Sequence, residues 1–255
     1  MSIDTRYLSP PTYRLGSGEF GRVFESQYEG KKVVMKIMKH AISTEIFLNE
    51  IDILKHLEHP NIPRFIGFSI KKDRDFRCIV YEKAEGIDLL QFIHYRDVPD
   101  PQKQEISYQV ITTLAYIHSK NVIYCDLKPE NVIVNTRTGQ IKLIDFGLSR
   151  RSKSPIRGLA GTPGYIAPEV VKDNYYWFTA DIYSYGILFF VLWTERNPVK
   201  RSIMIRVITN LPKNLQRIIL SCTSEDPSAR PTCSEIITLL YQKPSCLDKI
   251  RMCVL

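Results

Sequence analysis

Asp126, Lys128 and Asn131 fall within one short run, Asp126-Leu127-Lys128-Pro129-Glu130-Asn131, and a further acid opens the tripeptide Asp145-Phe146-Gly147. Between them lie two β-like segments, Val132 to Val134 and Ile141 to Ile144, around the turn-rich Thr136 to Gly139, a pattern that predicts an antiparallel hairpin. Folding that hairpin brings Asn131 and Asp145 together at its open end. Two oxygen-bearing side chains with no His or Cys beside them suit a hard cation such as Mg2+, held jointly with substrate phosphates. Asp126, in the loop at the same end, is placed to take a proton from an attacking hydroxyl. Lys128, two residues on, is placed to neutralise a phosphoryl group in transfer. Singly, each of these residues reads better as an ordinary cap; together they point to chemistry.

A second set lies near the start of the chain. Gly16-Ser17-Gly18-Glu19-Phe20-Gly21 is a GxGxxG, which by itself marks several kinds of phosphate-binding turn or a plain hairpin. In a dinucleotide fold the last glycine opens a helix. Here Arg22 to Tyr28 is β-branched, aromatic and roughly alternating, so the loop joins two strands and its amides are free to lie over a triphosphate. Lys36 ends the apolar run Val33-Val34-Met35 and needs a counter-charge if buried. The helical pattern from about Ala41 to Leu57 supplies one: Glu50 falls in the middle of the face carrying Ile46, Phe47, Ile53, Leu54 and Leu57, with Glu45 and Asp52 opposite. A carboxylate on an apolar stripe is costly unless paired, which predicts Lys36 with Glu50.

The elements that must position these groups divide near residues 82 to 88. Ahead of that point the pattern is strand-rich (Tyr13 to Leu15, Val23 to Tyr28, Lys32 to Ile37, Phe76 to Tyr81) with one helix; beyond Gly86 it is mostly helical. The division predicts a small β lobe and a larger α lobe. Residues 1–11 read as a loose lead-in, and 244–255 as a tail that frays. The apolar run Tyr183 to Trp193 is shorter than the roughly 20 residues needed to span a bilayer and reads as a buried core helix. Of 255 residues, 44% are hydrophobic and 24% charged, the balance of a globular chain. The six cysteines form no CxxC pair and no metal-type spacing with the five histidines, so neither a zinc site nor a disulfide framework is expected and a reducing compartment is. The net charge of +8 favours anionic partners, but no interleaved basic and aromatic motif supports nucleic-acid recognition.

In this order the residues resemble the eukaryotic-type protein kinase domain, over Tyr13 to Tyr241. Leu15 to Val23 resembles its glycine loop, Val33-Val34-Met35-Lys36 its VAIK strand and Glu50 its αC glutamate. Tyr124-Cys125-Asp126-Leu127-Lys128-Pro129-Glu130-Asn131 resembles HRDLKPEN, Asp145-Phe146-Gly147 is DFG and Ala167-Pro168-Glu169 is APE. Asp181 resembles the buried aspartate of the long large-lobe helix, and Arg230 the arginine paired with the APE glutamate. The resemblance implies a bilobal α+β kinase fold: residues 12–243, with the small lobe and start of the hinge at 12–83 and the large lobe at 84–243. It implies ATP between the lobes, contacted by Leu15, Gly16, Ser17, Gly18, Glu19, Phe20, Gly21, Val23, Val34, Lys36, Glu50, Tyr81 and Ile133. Glu82 and Ala84 would read adenine through their backbones, with Asp88 near the ribose. Asp126 would be the catalytic base assisted by Lys128, with Asn131 and Asp145 holding Mg2+. Lys128 with Gly161-Thr162 resembles the serine/threonine branch, with Thr162 beside the protein substrate.

Departures from the pattern carry their own expectations. Cys125 stands where many relatives have an arginine that pairs with an activation-segment phosphate, so activity is not expected to depend strictly on phosphorylation there, although Ser149, Ser152, Ser154 and Thr162 offer hydroxyls. Val34 and Tyr81 are bulkier than is usual around the adenine, Tyr81 at the gatekeeper position. The basic run Arg150 to Arg157 reads first as a solvated loop. Between Trp193 and Leu211 there is little room for the substrate-docking helix of larger relatives. The trimmed span resembles compact viral kinases, with a small cellular kinase as the other reading. The location expected is cytoplasmic or nuclear, in a host cell if viral. The rival to an active protein kinase is a pseudokinase-like scaffold binding nucleotide and protein partners. Phosphate transfer to a small molecule is a further reading, against which the APE segment and Gly161-Thr162 argue.

Overall fold

The computed structural model of the chain describes residues 2–71, 76–158 and 160–241. The expected tail, 244–255, lies outside the described residues. Strands β1 (Arg14–Ser17), β2 (Gly21–Tyr28), β3 (Lys31–Met38), β4 (Phe65–Lys71) and β5 (Phe76–Glu82) form one antiparallel sheet in the order β1-β2-β3-β5-β4. Helix α1 (Thr44–Lys55) crosses from β3 towards β4. It starts where Ser43, in extended backbone, accepts a hydrogen bond from Ile46 N at 3.3 Å, so one orphan amide of its first turn is satisfied. The alternation of β3 decides what each face of the sheet does. Val34 and Lys36 face α1 and the cleft, with cross-strand partners Tyr81, Ile79 and Val23, whereas Val33 and Met35 join Cys78 and Val80 in a separate buried cluster on the outer face.

That outer face corrects the reading of residues 1–11 as loose. Ser2 bridges Phe68, Leu8 bridges Tyr28, and Ser9 N and Thr12 N donate to Gln27 O and Glu25 O at 2.9 Å each. Ile3 is buried against the outer cluster and Leu8 packs beside it. The segment is a strap across the sheet, because the apolar alternation of β3 and β5 leaves a face that something must cover. Strand β4 is also absent from the sequence reading. Pro63 before it and Gly67 within it, at an irregularity in the pairing with β5, break the run that would have marked it.

Beyond the hinge, β6 (Ile87–Asp88) and the hairpin of β8 (Val132–Val134) and β9 (Ile141–Leu143) make a three-stranded sheet in the order β6-β8-β9. The helical lobe is built on α5 (Phe178–Thr194), almost wholly apolar and buried along most of its length, as the run Tyr183 to Trp193 predicts. It packs against α3 (Asp100–Ser119) and α7 (Lys213–Cys222), and α8 (Cys233–Tyr241) packs on α3 and α7. Helix α2 (Leu89–Tyr95) starts at Asp88, whose Oδ1 accepts from Gln91 N at 2.8 Å. Two two-residue strands tie down the activation segment: β10 (Arg150–Arg151) pairs with β7 (Val122–Ile123), and β11 (Ile156–Arg157) pairs with β12 (Tyr175–Tyr176), which follows α4 (Pro168–Asp173). In the short connection after Trp193 the chain places the short helix α6 (Arg201–Val207), about two turns long. No helix among the described residues is long and apolar enough to cross a membrane.

Candidate active site

The strands bring three charges together in the cleft. Lys36 Nζ lies 2.7 and 2.9 Å from the two carboxylate oxygens of Glu50 and 2.8 Å from Asp145 Oδ1. Lys36 and Glu50 are buried on facing elements, as the helical periodicity predicts. Burial works against the Lys36 ammonium, but Glu50 and Asp145 outweigh it and hold its pKa above the ordinary lysine value. Burial likewise pushes the Asp145 carboxyl up, and Lys36 outweighs it, so Asp145 titrates below its ordinary value. Burial raises the Glu50 carboxyl above its ordinary value against the pull of Lys36, so Glu50 depends on that ammonium, and removing Lys36 leaves its buried carboxyl without a counter-charge.

At the lower edge of the cleft, Asp126 is the centre of a second network. Its Oδ1 accepts the Thr162 hydroxyl at 2.7 Å; its Oδ2 accepts Asn131 Nδ2 and lies beside Lys128 Nζ, each at 3.0 Å. Lys128 Nζ also donates to Thr162 Oγ1 at 2.6 Å. Asn131 and Asp145 meet at the open end of the hairpin, as the turn predicts: Ile144 N donates to Asn131 O at 2.9 Å, and Asp145 is the next residue.

The fit to a divalent cation follows from which oxygens are already used. Asn131 spends its amide nitrogen on Asp126 O and Oδ2, which leaves its carbonyl oxygen for a cation. Asp145 Oδ1 takes Lys36 and Gly147 N, while Oδ2 faces the glycine loop, 3.9 Å from where a Cβ on Gly18 would stand. Among the described residues no group of three His, Cys, Asp or Glu side chains is placed to hold a metal unaided. The donor set fits Mg2+ that completes its shell with water and phosphate oxygens.

The glycine loop lies close over this cleft. Gly18 N donates to Gly21 O at 2.9 Å, closing the turn between β1 and β2. Gly21 has no alternative there: a Cβ would stand 2.6 Å from Ile37 O. Phe20 is buried, its ring centroid 5.7 Å from Lys36 Nζ and its edge 2.7 Å from where a Cβ on Gly147 would stand. Leu15, Ser17 and Glu19 are exposed along the rim, and Val34 and Tyr81 are partners across β3 and β5.

The comparison with known families decides between the kinds of protein that carry such a loop. The protein kinase domain matches residues 11–242. The chain belongs to the protein kinase family. It is similar to the serine/threonine-protein kinase TIO of Arabidopsis thaliana, 32% identical over 210 residues, covering 78% of this chain and 16% of that protein. It is also similar to the probable serine/threonine-protein kinase kinX of Dictyostelium discoideum, 30% identical over 260 residues (92% and 23%), and to the serine/threonine-protein kinase CTR1 of Arabidopsis thaliana, 28% over 253 residues (89% and 30%). The chain spans less than half the length of these curated relatives.

Around the kinase cleft, buried pairs hold the loops in place. Asp181 receives the amides of Tyr124 and Cys125 through its two oxygens, at 2.8 Å each, and His118 Nε2 at 2.8 Å. Those bonds hold Cys125 at φ 69°, in the left-handed region, directly before Asp126; Asp145 is held at φ 60°. Each such non-glycine position costs about 1–3 kcal/mol, and the strain flanks the acids named from the sequence. Glu169 and Arg230 form a bidentate pair at 2.6 and 2.7 Å.

The other expected contacts sit at the hinge. Glu82 turns its carboxylate away to Lys142 Nζ at 3.0 Å and Arg64 N at 3.1 Å. Ala84 lies in the irregular connection between β5 and β6. Asp88 and Ile133 are paired neighbours on β6 and β8, and one oxygen of Asp88 is committed to capping α2.

One expectation is overturned and one contact was missed. Ser149, counted among the available hydroxyls, is fully buried and donates through Oγ to Tyr124 O at 2.9 Å. It is interior structure rather than an accessible acceptor, because the residues after Asp145-Phe146-Gly147 run under α1 before they reach the surface. Asn49, from that helix, donates to the Ser149 carbonyl at 2.9 Å. Its only signal in the sequence was adjacency to Glu50.

Proposed function

We propose that this chain is an active serine/threonine protein kinase, transferring the γ-phosphate of ATP to hydroxyls of a protein substrate. The observation that carries the reading is the Asp126–Lys128–Thr162 network set beside Asn131 and the ionic cluster of Lys36, Glu50 and Asp145. In this reading Asp126 takes the proton of the incoming hydroxyl and Lys128 offsets charge on the phosphoryl group in transfer. Lys36, held by Glu50, orients the nucleotide phosphates. Asn131 and Asp145 hold Mg2+, which neutralises the phosphate oxygens. Glu82 and Ala84 meet the adenine through their backbones. The retained Lys36, Asp126, Asn131 and Asp145 favour catalysis over a scaffold role, and the names of the relatives favour serine and threonine as acceptors.

Cys125 brings no guanidinium to the activation segment, so we propose that activity does not require a phosphate there. The deciding assay follows transfer of labelled γ-phosphate from ATP to histone, casein and a basic protein, by wild type and Asp126→Asn. The expected loss in the variant is about 10²–10⁴-fold. Equal activity in the two proteins would refute the mechanism.

A further inference from the structure

Helix α1 carries two side chains towards the residues that follow Asp145-Phe146-Gly147. Asn49 Nδ2 donates to the Ser149 carbonyl at 2.9 Å, and Asp52 Oδ2 lies 3.5 Å from Arg151 NH1. The second contact is solvent-exposed on both sides and contributes little. The first is different. The Ser149 carbonyl also accepts Arg150 NH1 at 3.0 Å, so both of its lone pairs are used. The rest of Ser149 is equally tied down: its amide donates to Phe146 O at 3.1 Å and its hydroxyl to Tyr124 O at 2.9 Å. Tyr124 in turn hangs from Asp181. A short chain of hydrogen bonds therefore runs from α1, through Ser149, to the catalytic loop and the core helix α5.

Asn49 and Glu50 are consecutive on one helix, so a rotation of α1 that withdraws Glu50 from Lys36 also pulls Asn49 off Ser149. The bond is amide to carbonyl and needs no phosphate. Position 125 is a thiol, and Arg150 NH1 is spent on the carbonyls of Leu148 and Ser149.

We propose that Asn49 is a positioning residue that latches α1 to the Ser149 carbonyl and so keeps Glu50 on Lys36 in the unphosphorylated enzyme. The proposal rests on the kinase reading and adds to it how the cleft is kept assembled. Ser149 is the fixed end of the latch and Asn49 its movable end.

The test uses the full chain after phosphatase treatment, with the absence of phosphate verified by mass spectrometry. Asn49→Ala removes the donor. Asn49→Asp keeps the shape but sets a carboxylate against a carbonyl, and gives a second variant should the alanine form fold poorly. Both are expected to lower kcat/KM for ATP by about five- to tenfold, the factor set by one neutral hydrogen bond. Amide exchange should speed up across residues 44–55 while α5 keeps its protection, a pattern that general destabilisation does not give. In a Glu50→Gln background Asn49→Ala should add less than a twofold effect, because both substitutions release the same helix. The latch is overturned by wild-type exchange across 44–55 in both variants, by effects of Asn49→Ala and Glu50→Gln that multiply, or by loss of wild-type activity on phosphatase treatment. The exchange measurement needs no turnover. A failed kinase reading, seen as no phosphoryl transfer by wild type, is thus told apart from a failed latch.

Discussion

Thr162 donates its hydroxyl hydrogen to Asp126 Oδ1 at 2.7 Å, joining the activation segment directly to the acid of the catalytic loop. Lys128 Nζ reaches the same hydroxyl from the other side at 2.6 Å, so one threonine oxygen fixes both the acid and the cation. In the proposed reaction, that position between a carboxylate and an ammonium makes Thr162 part of the geometry of transfer.

Replacing Thr162 with Val, which keeps the shape and removes the hydroxyl, should therefore lower kcat by about 10–100-fold, the scale of a misplaced catalytic group. KM for ATP should change little, since Lys36 and Glu50 are untouched. Thr162→Ser should recover most of the rate. Steady-state kinetics of the three proteins check this, and a valine variant with wild-type kcat would remove Thr162 from the site.

The buried pair of Arg230 and Glu169 acts on stability. Arg230 NH1 and NH2 engage the two carboxylate oxygens, NH1 also donates to Thr179 O at 2.9 Å, and Nε donates to Ser224 O at 2.9 Å. Its guanidinium carbon stands 5.1 Å from the Tyr183 ring centroid. Arg230→Met removes the cation and leaves Glu169 buried, which costs about 3–5 kcal/mol. The variant should show a clear fall in its denaturant midpoint. A double variant with Glu169→Leu should recover part of it, since no lone charge is then left behind. If the single and double variants melt alike, the pair is not the source of the loss.

The strap is the feature of the fold that the sequence least announced. Residues 2–9 carry few apolar side chains, and Pro10-Pro11 reads as a break. Yet Ile3 is needed because Val33, Met35, Cys78 and Val80 present an apolar outer face, and that requirement is written in other strands. The same holds for β4, hidden by Gly67, and for Asn49, whose partner is 100 residues away. By contrast Lys36, Glu50, Asp126, Asn131 and Asp145 were legible, because a charge on an apolar stripe or an acid at a hairpin mouth is a local anomaly. What local patterning leaves out is the far partner of a hydrogen bond and the element that covers an exposed face.

Deleting residues 2–9 should thus uncover the outer face without touching the cleft, since Val34 and Lys36 point the other way. Loss of the Ile3 contact corresponds to about 2 kcal/mol of apolar burial, or a fall in Tm of about 4–8 °C for a chain of this size. The buried Cys78 thiol should also begin to react with a thiol reagent under native conditions. Calorimetry and thiol titration check both. Unchanged Tm and an unreactive Cys78 would show that the strap covers nothing that matters.

Tyr81 sets the depth of the cleft. It pairs with Val34 across β3 and β5 and lines a small cavity with Glu50, Leu54, Pro63, Ile144, Asp145 and Phe146. Burial raises its phenol pKa, so the ring stands as a neutral wall of that cavity, which the proposed function sets behind the adenine. Tyr81→Gly removes the wall while keeping Lys36 and Glu50. ATP-competitive inhibitors with a bulky aromatic group aimed at this position should gain about tenfold or more in affinity, equivalent to burying two or three methylene groups, while inhibitors without the group should gain nothing. The comparison separates a local change in shape from a general loosening of the site, which would weaken both classes. Competition titrations with the paired inhibitors on wild type and Tyr81→Gly give the answer, and equal affinities for the bulky compound would place another residue at the back of the cleft.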